Sequence, residues 1–293
     1  MSAFILKIFA LVSMLIDHSC AILQISPHQI VDYNLLATGR AIGRLALPIF
    51  AFFIVEGFFK TSNLKKYIGR MHLFAIISQI PFYLTFYYQN IIIDNAKFNI
   101  YFNVNINLLG LILIIIVSYW YFILDRRYDI SLLYVSFAYL IIPIQFGLNY
   151  DFKIMNDLNI FYEFGMCLII LNLLYKLKKL NSKILENIAM ILAIISLVLL
   201  IHLRGNYGLS VLFLIFLILE LKDLKYMQSI AISIWGYLLY SWKMLNVYVV
   251  IISAILLYYY NGKRGKELKY LFYIFYPFHL MVLALINIFI LYK

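Results

Sequence analysis

The chain has 293 residues, of which 65% are hydrophobic, 18% aromatic and only 13% charged, and it carries a formal net charge of +11. Soluble domains have about 25% charged residues, so this composition excludes a water-soluble globular protein. The basic residues lie in short segments between apolar stretches, which predicts contact with the headgroups of membrane lipids and no nucleic-acid partner.

Apolar stretches of about 18 residues or more recur along the whole chain. They predict an all-α fold, a polytopic helical membrane protein with about 10–11 transmembrane helices. The predicted spans are residues 4–23, 41–59, 68–88, 105–124, 130–147, 160–175, 184–201, 207–221, 227–241, 244–260 and 271–291.

The loop charges predict an orientation. Of the 24 Lys and Arg residues, 16 fall in loops on one side of the membrane and 6 on the other when the spans alternate. Positive residues accumulate in cytoplasmic loops, so the N-terminus is predicted to be cytosolic. The longest segments between spans, Gln24–Gly39 and Gln89–Val104, are predicted to lie outside. No cleavable signal peptide is expected, and Cys20 and Cys167 are expected to be free thiols.

Two ionisable residues, Asp17 and His18, lie inside the first apolar stretch, where such groups are costly and usually mark a functional path. At a rise of 1.5 Å per residue, they lie about two thirds of the way across the first span, in its outer half. Arg40 and Arg44 begin the second span from the outside, and their i, i+4 spacing places them on one helix face. A short hairpin would therefore bring all four side chains into one cavity.

That combination of groups suits acyl transfer. The His18 imidazole can take a proton from an attacking amine or hydroxyl, and the Asp17 carboxylate can orient it. The guanidiniums of Arg40 and Arg44 can bind an anion or stabilise developing negative charge. The structural alternative is that Asp17 and Arg44 form a charge pair that locks two helices together.

Further polar residues interrupt the later apolar stretches. Glu56, near the inner end of the second span, is interpreted as a gate or binding residue, or as a carboxylate paired with loop cations. Pro48 is expected to kink the same helix. Gln79 and His279 are candidates for substrate binding, with helix–helix hydrogen bonding and packing as the alternatives. The spacing of Cys and His residues suggests no metal site.

Several motifs occur in a fixed order along the chain: Leu6–Ile8, Met14–His18, Gly43–Phe52, Glu56–Phe58, Lys65–Arg70, Ile77–Phe82, Tyr260–Gly265 and Leu268–Leu280. In order and spacing they resemble the bacterial TraX family, which is named for the N-acetylation of conjugative pilin. The resemblance covers roughly residues 4–90 and 255–285. The middle of the chain departs from the family pattern, because Phe161–Gly165 lacks an aspartate and Asn103–Asn107 lacks a threonine.

The resemblance implies one integral-membrane acyltransferase-like domain over residues 1–293, in the bacterial cytoplasmic membrane. The family is similar to a wider superfamily of multi-span enzymes that carry an essential histidine in an early span and take acetyl groups from acetyl-CoA. By that resemblance His18 is the catalytic candidate, supported by Asp17, Arg44 and Glu56. The acceptor stays open between a peptide N-terminus and a sugar.

Binding of acetyl-CoA requires cations on the cytosolic face, because the donor carries several phosphates. Lys60, Lys65, Lys66 and Arg70 lie together there and are the predicted donor-binding residues. The alternative is that they are ordinary positive residues of a cytoplasmic loop.

Two other functions stay open. One is a transporter or flippase that uses the buried Asp, His and Arg residues, and the other is a membrane scaffold without enzymatic activity. No inverted, Gly- or Pro-broken halves are visible in the sequence, which disfavours a transporter. A scaffold has no need for Asp17, His18 and Arg44 at one depth.

Overall fold

The structure is a computed structural model that describes residues 1–25, 31–86, 99–101, 145–147, 158–177, 206–266 and 269–291, and positions 191, 194, 195 and 198. Its contacts divide it into two compact units. The first unit comprises Met1–Phe59, Ile80–Phe86 and Ser210–Lys293, and the second comprises Lys60–Gln79 and Tyr87–Leu209. A single domain over residues 1–293 stays a prediction.

Helices make up almost all of the described secondary structure. A 3₁₀ turn, Gly43–Leu45, separates the second and third helices, and a π-helical turn, Asn287–Leu291, follows the last. In chain order the elements are α1 (Ala3–Ile25), α2 (Tyr33–Ile42), α3 (Ala46–Lys60), α4 (Leu64–Phe86), β1 (Asn99–Tyr101), β2 (Gln145–Gly147), α5 (Ile160–Leu177), α6 (Leu209–Glu220), α7 (Lys225–Tyr240), α8 (Met244–Tyr258) and α9 (Lys269–Ile286).

Among the residues that the structure describes, three helical segments have the length and the apolar composition needed to cross a membrane: Ala3–Gln24, Tyr33–Lys60 and Tyr270–Phe289. Within such segments one face packs inward while the other displays large apolar side chains, as Leu6 (fully buried) and Phe278 (65% exposed) illustrate. Large apolar residues exposed in this way match a lipid surface. The protein is therefore an all-α helical membrane protein, as predicted.

The segment Gln24–Gly39, predicted to lie outside the membrane, is partly helical, because α2 begins within it at Tyr33. Asp32 caps the helix: its Oδ1 accepts hydrogen bonds from the amides of Asn34 (2.8 Å) and Leu35 (3.1 Å). An aspartate at this position satisfies amides that the first turn leaves without partners. The second predicted span, residues 41–59, is thus extended at its start.

The sequence predicts a kink at Pro48 in the second span, and the α-helical hydrogen-bonding pattern is interrupted just before it. Gly43–Leu45 forms a 3₁₀ turn in which the Ala46 amide donates to the Gly43 carbonyl. Proline has no amide to donate to the carbonyl four residues earlier, here that of Arg44. The tighter turn therefore lies where the α-helical pattern loses a hydrogen bond.

The predicted span at residues 130–147 is wrong at its end, where Gln145–Gly147 forms β2 and pairs antiparallel with β1 in the register Ile100↔Phe146. Pro143 disfavours helix there, because it removes an amide donor and restricts the residue before it. The rest of that span, the span at residues 105–124 and most of the span at residues 184–201 lie outside the described residues.

The start of α1 is tied to the loop between α8 and α9. The amides of Ala3 and Phe4 donate to the carbonyls of Lys263 (2.9 Å) and Arg264 (3.1 Å). Gly265 permits this close approach, because its φ is +75° and a β-carbon there would lie 2.9 Å from Phe4 Cβ. The start of α1 and this loop therefore lie at one end of the first unit, as a cytosolic position of both requires.

Helices α7 and α8 form an antiparallel hairpin in the first unit. Lys225 Nζ donates to the Tyr260 carbonyl at 3.1 Å, and Ser229 Oγ donates to the Ala254 carbonyl at 3.1 Å. The first contact lies at the same end as the start of α1. The turn that contains Trp242 lies at the opposite end of the hairpin.

Candidate functional site

Two glycines let the second helical segment lie directly against α1. A β-carbon at Gly39 would overlap Cys20 Sγ, and one at Gly43 would overlap the Asp17 side chain from its Cβ onward. Small residues four positions apart allow membrane helices to approach closely. The hairpin predicted between the first two spans is therefore present, and Asp17 lies in its contact surface.

Asp17 forms an ion pair with Arg40. Arg40 Nη1 donates to Asp17 Oδ1 at 2.6 Å and lies 3.3 Å from the Asp17 carbonyl oxygen. The Asp17 side chain is 9% exposed and that of Arg40 is 30% exposed. A short, charge-assisted bond in such a place is stronger than one between neutral groups. The proximity predicted for these two residues is therefore observed.

Arg44 joins the same group of side chains. Its guanidinium lies 5.7 Å from the centre of the Tyr240 ring and hydrogen-bonds the Tyr240 hydroxyl. Arg44 and Arg40 both interact electrostatically with Asp17 and with His18. The first two spans and α7 therefore surround one polar group of side chains.

His18 is hydrogen-bonded to His279 of α9. His18 Nδ1 lies 2.8 Å from His279 Nε2, and His279 Nδ1 lies 2.7 Å from the Phe275 carbonyl oxygen. His18 is half-buried and His279 is buried. We refer to Asp17, His18, Arg40, Arg44 and His279 as the histidine cluster.

A second polar group surrounds Glu56, which we call the glutamate cluster: Lys7, Glu56, Tyr260 and Arg264. The Tyr260 hydroxyl donates to the Glu56 carboxylate. The pKa of Tyr260 is raised, mainly because the side chain is buried and also because of this hydrogen bond. Lys7 interacts electrostatically with Glu56 and Arg264. Its Nζ lies 4.8 Å from the centre of the Phe53 ring, a cation–π contact.

The two clusters are separate. Lys7 and His18 are 11 residues apart on α1, which corresponds to about 16 Å along the helix. The structure therefore places Glu56 with Tyr260 and Lys7 rather than with His18. This geometry disfavours a direct contact of Glu56 with His18, the support that the resemblance implies, whereas a gate or binding role of Glu56 near the inner end of its span stays a prediction.

The four predicted donor-binding cations lie in the second unit. Lys60 ends α3, while Lys65, Lys66 and Arg70 lie in the first two turns of α4; the lysines are exposed and Arg70 is half-buried. Asn63 Oδ1 accepts the Lys66 amide at 2.9 Å and caps the helix. Lysines beside a helix N-terminus form a favourable environment for phosphate.

Gln79, a candidate substrate-binding residue, contacts the start of α5. Its Oε1 accepts hydrogen bonds from the Asn159 amide (3.1 Å) and from Asn159 Nδ2 (2.7 Å). Asn159 Oδ1 in turn accepts the Phe161 amide at 3.1 Å. These bonds match the alternative role, the hydrogen-bonding of one helix to another.

The sequence profile of the TraX protein family matches residues 2–155 and 146–287. The chain belongs to the TraX family. One similar relative is the probable fimbrial assembly protein FimC, serogroup H1, of Dichelobacter nodosus, 48% identical over 82 residues. The match covers 28% of this chain and 31% of that protein, so the chain spans about a third of the relative's length. No solved structure matches the chain significantly.

In this TraX-family chain the histidine cluster combines the groups that acyl transfer requires. An imidazole can accept a proton, and guanidiniums can stabilise negative charge on an oxygen. Within the described residues, no group of three or more His, Cys, Asp and Glu side chains could hold a metal ion. Cys20 and Cys167 are free thiols, as expected.

The structure joins to these clusters four residues of the TraX-family chain that the sequence did not assign to a site: Lys7, Tyr240, Tyr260 and Arg264. The position of Lys7 was informative, because a cation inside a lipid-length helix, like the carboxylate of Asp17, is costly there and usually marks a functional site. Tyr260 and Arg264 lie in the motif Tyr260–Gly265, which carries part of the family resemblance. Tyr240 carried no signal, since the chain has 26 tyrosines and most are expected in the core or at the membrane interface.

Proposed function

We propose that the protein is an integral-membrane acetyltransferase that moves an acetyl group from acetyl-CoA to an amine or hydroxyl at the membrane. The observation that carries the proposal is the convergence of His18, Asp17, Arg40 and Arg44 within one cluster. Charged groups inside a membrane segment cost free energy. Their collection at one place in the fold therefore supports a functional site there.

His18 is the general base of the proposed reaction. It takes the proton of the attacking amine or hydroxyl as the nucleophile bonds to the acetyl carbonyl carbon, and passes that proton to sulfur as the carbon–sulfur bond breaks. The products are the acetylated acceptor and the free CoA thiol. Asp17 holds Arg40 in place, and the guanidiniums of Arg40 and Arg44 stabilise the negative charge that develops on the carbonyl oxygen.

The donor is acetyl-CoA, and Lys60, Lys65, Lys66 and Arg70 are the proposed phosphate-binding residues. Three of the four side chains are exposed lysines, and two of these lie beside the capped N-terminus of α4, a combination that suits a phosphate group. The loop charges support a multi-pass protein of the bacterial cytoplasmic membrane with this face in the cytosol, where acetyl-CoA is found.

The acceptor is proposed to be a peptide N-terminus of the pilin type, with a glycan as the other candidate. The printed name of the relative, a fimbrial assembly protein, supports the peptide. The position of the histidine cluster in the predicted outer half of the membrane supports an acceptor that lies at or beyond that surface.

Purified protein in lipid nanodiscs, incubated with radiolabelled acetyl-CoA and either a synthetic peptide with a free N-terminus or glucosamine, tests this function. Wild type is expected to label one acceptor, and His18→Ala to lower the rate by about 10²–10⁴-fold, the usual worth of a general base. Ser19→Ala, at the next position on α1, is the matched control and should retain the rate. Equal transfer by wild type and His18→Ala would refute the assignment.

A further inference from the structure

The hydrogen bonds of the two histidines determine which ring nitrogens carry protons. A backbone carbonyl can only accept, so His279 Nδ1 must carry the hydrogen that bonds the Phe275 oxygen at 2.7 Å. In a neutral ring the other nitrogen, His279 Nε2, is then an acceptor. The 2.8 Å contact between this atom and His18 Nδ1 therefore requires the hydrogen on His18 Nδ1.

We propose that His279 is a positioning residue that fixes neutral His18 as its Nδ1–H tautomer and so leaves His18 Nε2 as the basic nitrogen. The role of His18 Nε2 as a catalytic base rests on the proposed acetyl transfer. The hydrogen bond between the two histidines and the tautomer of His18 do not depend on that function. It assigns His279 a role that differs from the predicted substrate binding. Its function is to orient and complete the base.

The relative orientation of the rings supports a real N–H···N bond. The planes of His18 and His279 differ by only 11°, and their centres lie 5.0 Å apart. That separation is close to the 2.8 Å between the bonded nitrogens plus the distance from each nitrogen to its ring centre. The rings therefore lie edge to edge in one plane, the plane that contains the lone pair of the accepting nitrogen.

The surroundings hold both rings in this orientation. The Phe275 ring stacks on His279 with centres 4.8 Å apart and planes 19° apart, and His279 is only 4% exposed. Phe86 packs edge-on against His18 with centres 5.1 Å apart. Rotation of either ring would break a hydrogen bond in a place where water replaces it poorly.

Asp17 does not fill this role, although it adjoins His18 in sequence. Successive residues of an α-helix project about 100° apart, so the two side chains face different neighbours. Asp17 faces the second helical segment and bonds Arg40 at 2.6 Å, while His18 faces α9. A neutral imidazole on α9 therefore takes the place that a carboxylate holds in many catalytic triads.

The histidine pair also stabilises the positive charge that forms on His18 during the proposed reaction. When the acceptor's proton moves to His18 Nε2, the His18 ring becomes a cation whose Nδ1–H still bonds His279 Nε2. A hydrogen bond from a charged donor is stronger than one between neutral groups, so this contact strengthens as the proton arrives. The same proton later leaves Nε2 for the thiolate sulfur, and the pair returns to its neutral form.

Nitrogen-15 NMR of protein labelled at histidine and reconstituted in lipid bilayers tests the proposal, because protonated and unprotonated ring nitrogens have distinct shifts. His18 signals are assigned by their loss in His18→Gln. In wild type, His18 should show a protonated Nδ1 and an unprotonated Nε2. In His279→Leu, which removes the acceptor at similar volume, this pattern should be lost, and His279→Gln, which offers an amide oxygen, should restore it.

A wild-type His18 that carries its proton on Nε2, or an unchanged pattern in His279→Leu, overturns the proposal. If His279→Leu does not fold, the wild-type spectrum and His279→Gln still decide it. In the peptide assay, His279→Leu should lower kcat by about 10²-fold with KM nearly unchanged, and His279→Gln should recover most of the loss. The proposed tautomer in a protein that acetylates neither probe would uphold the histidine arrangement and refute the proposed function.

Discussion

The Cα of Gly43 lies so close to Asp17 that a β-carbon at position 43 would overlap both Cβ and Cγ of that aspartate. Gly39, one helical turn earlier, meets only the end of a side chain, the Sγ of Cys20. The two glycines therefore differ in what would have to move if either gained a methyl group. The contact at Gly43 involves the residue that binds Arg40.

That difference predicts how the two sites respond to alanine. Gly39→Ala and Gly43→Ala should each destabilise the protein by about 1–3 kcal/mol, the usual cost of overpacking. Cys20→Ala should rescue Gly39→Ala, because it removes Sγ and leaves a Cβ at 3.4 Å. Asp17→Ala should not rescue Gly43→Ala, because the Asp17 Cβ itself is in the overlap. Thermal unfolding in detergent measures the four single variants and the two double variants; rescue at Gly43 would contradict the geometry.

The Asp17–Arg40 ion pair should be energetically coupled. Asp17→Asn and Arg40→Gln should each lower stability by about 1–3 kcal/mol, less than a fully buried pair loses because Arg40 is partly exposed. The double variant should be less destabilised than the two single losses added together, by about 1 kcal/mol or more. Strictly additive losses in thermal unfolding would show that the pair contributes nothing to stability.

Neutralising the proposed phosphate-binding residues should weaken donor binding. The fourfold change of Lys60, Lys65, Lys66 and Arg70 to Gln should raise the KM for acetyl-CoA by about tenfold or more, because charge-assisted bonds to phosphate are lost. The amount of protein in the membrane should stay constant. Lys263→Gln with Lys266→Gln, in the other predicted cytosolic loop, is the matched control. An unchanged KM would place the donor site elsewhere.

Cysteine labelling should show on which side of the membrane Ser62, Trp242 and Lys263 each lie. In a background with Cys20→Ala and Cys167→Ala, a membrane-impermeant maleimide added outside should label Trp242→Cys. It should miss Ser62→Cys and Lys263→Cys, although both positions are exposed. All three should react after permeabilisation. Outside labelling at position 62 or 263 would reverse the orientation inferred from the loop charges.

Tyr260 should make the stability depend on alkaline pH. Burial and the Glu56 carboxylate raise the pKa of this phenol, so the folded state favours its neutral form. The contribution is fully present below the ordinary tyrosine pKa of 10.0 and is lost as the pH rises towards the folded-state pKa.

Tyr260→Phe should therefore be less stable than wild type at neutral pH by about 1.5–3 kcal/mol, the usual contribution of a hydrogen bond to a charged group. The difference should shrink as the pH rises above 10.0. Tyr259→Phe, an exposed neighbour, is the control. A difference that stays constant across this pH range would contradict the shift.

The sequence was sufficient to predict contacts that form between neighbouring spans. Asp17 and Arg40 are 23 residues apart, and a hairpin of two lipid-length helices leaves few ways to arrange them. The same reasoning placed the start of the second span at residue 41, later than the observed start of α2 at Tyr33. It did not recognise that Asp32 caps a helix, because residues 24–39 contain too many polar groups to resemble a span.

The contact between His18 and His279 could not be predicted in this way. The two residues are 261 positions apart, and no local periodicity relates α1 to α9. Which helices become neighbours in a bundle is decided by packing over the whole fold. The sequence also left the role of Gln79 open between substrate binding and helix–helix hydrogen bonding, because either role places the same amide inside a span.

The separation of the two histidines also bears on the order of assembly during synthesis. Arg40 follows Asp17 by 23 residues, so that pair can form before most of the chain has been synthesised. His279 emerges 261 residues after His18, an interval of roughly 10–50 s at about 5–20 residues per second. A nascent chain that stops before α9 therefore holds its ion pair but has an incomplete base, and only the nearly finished protein contains the pair of histidines.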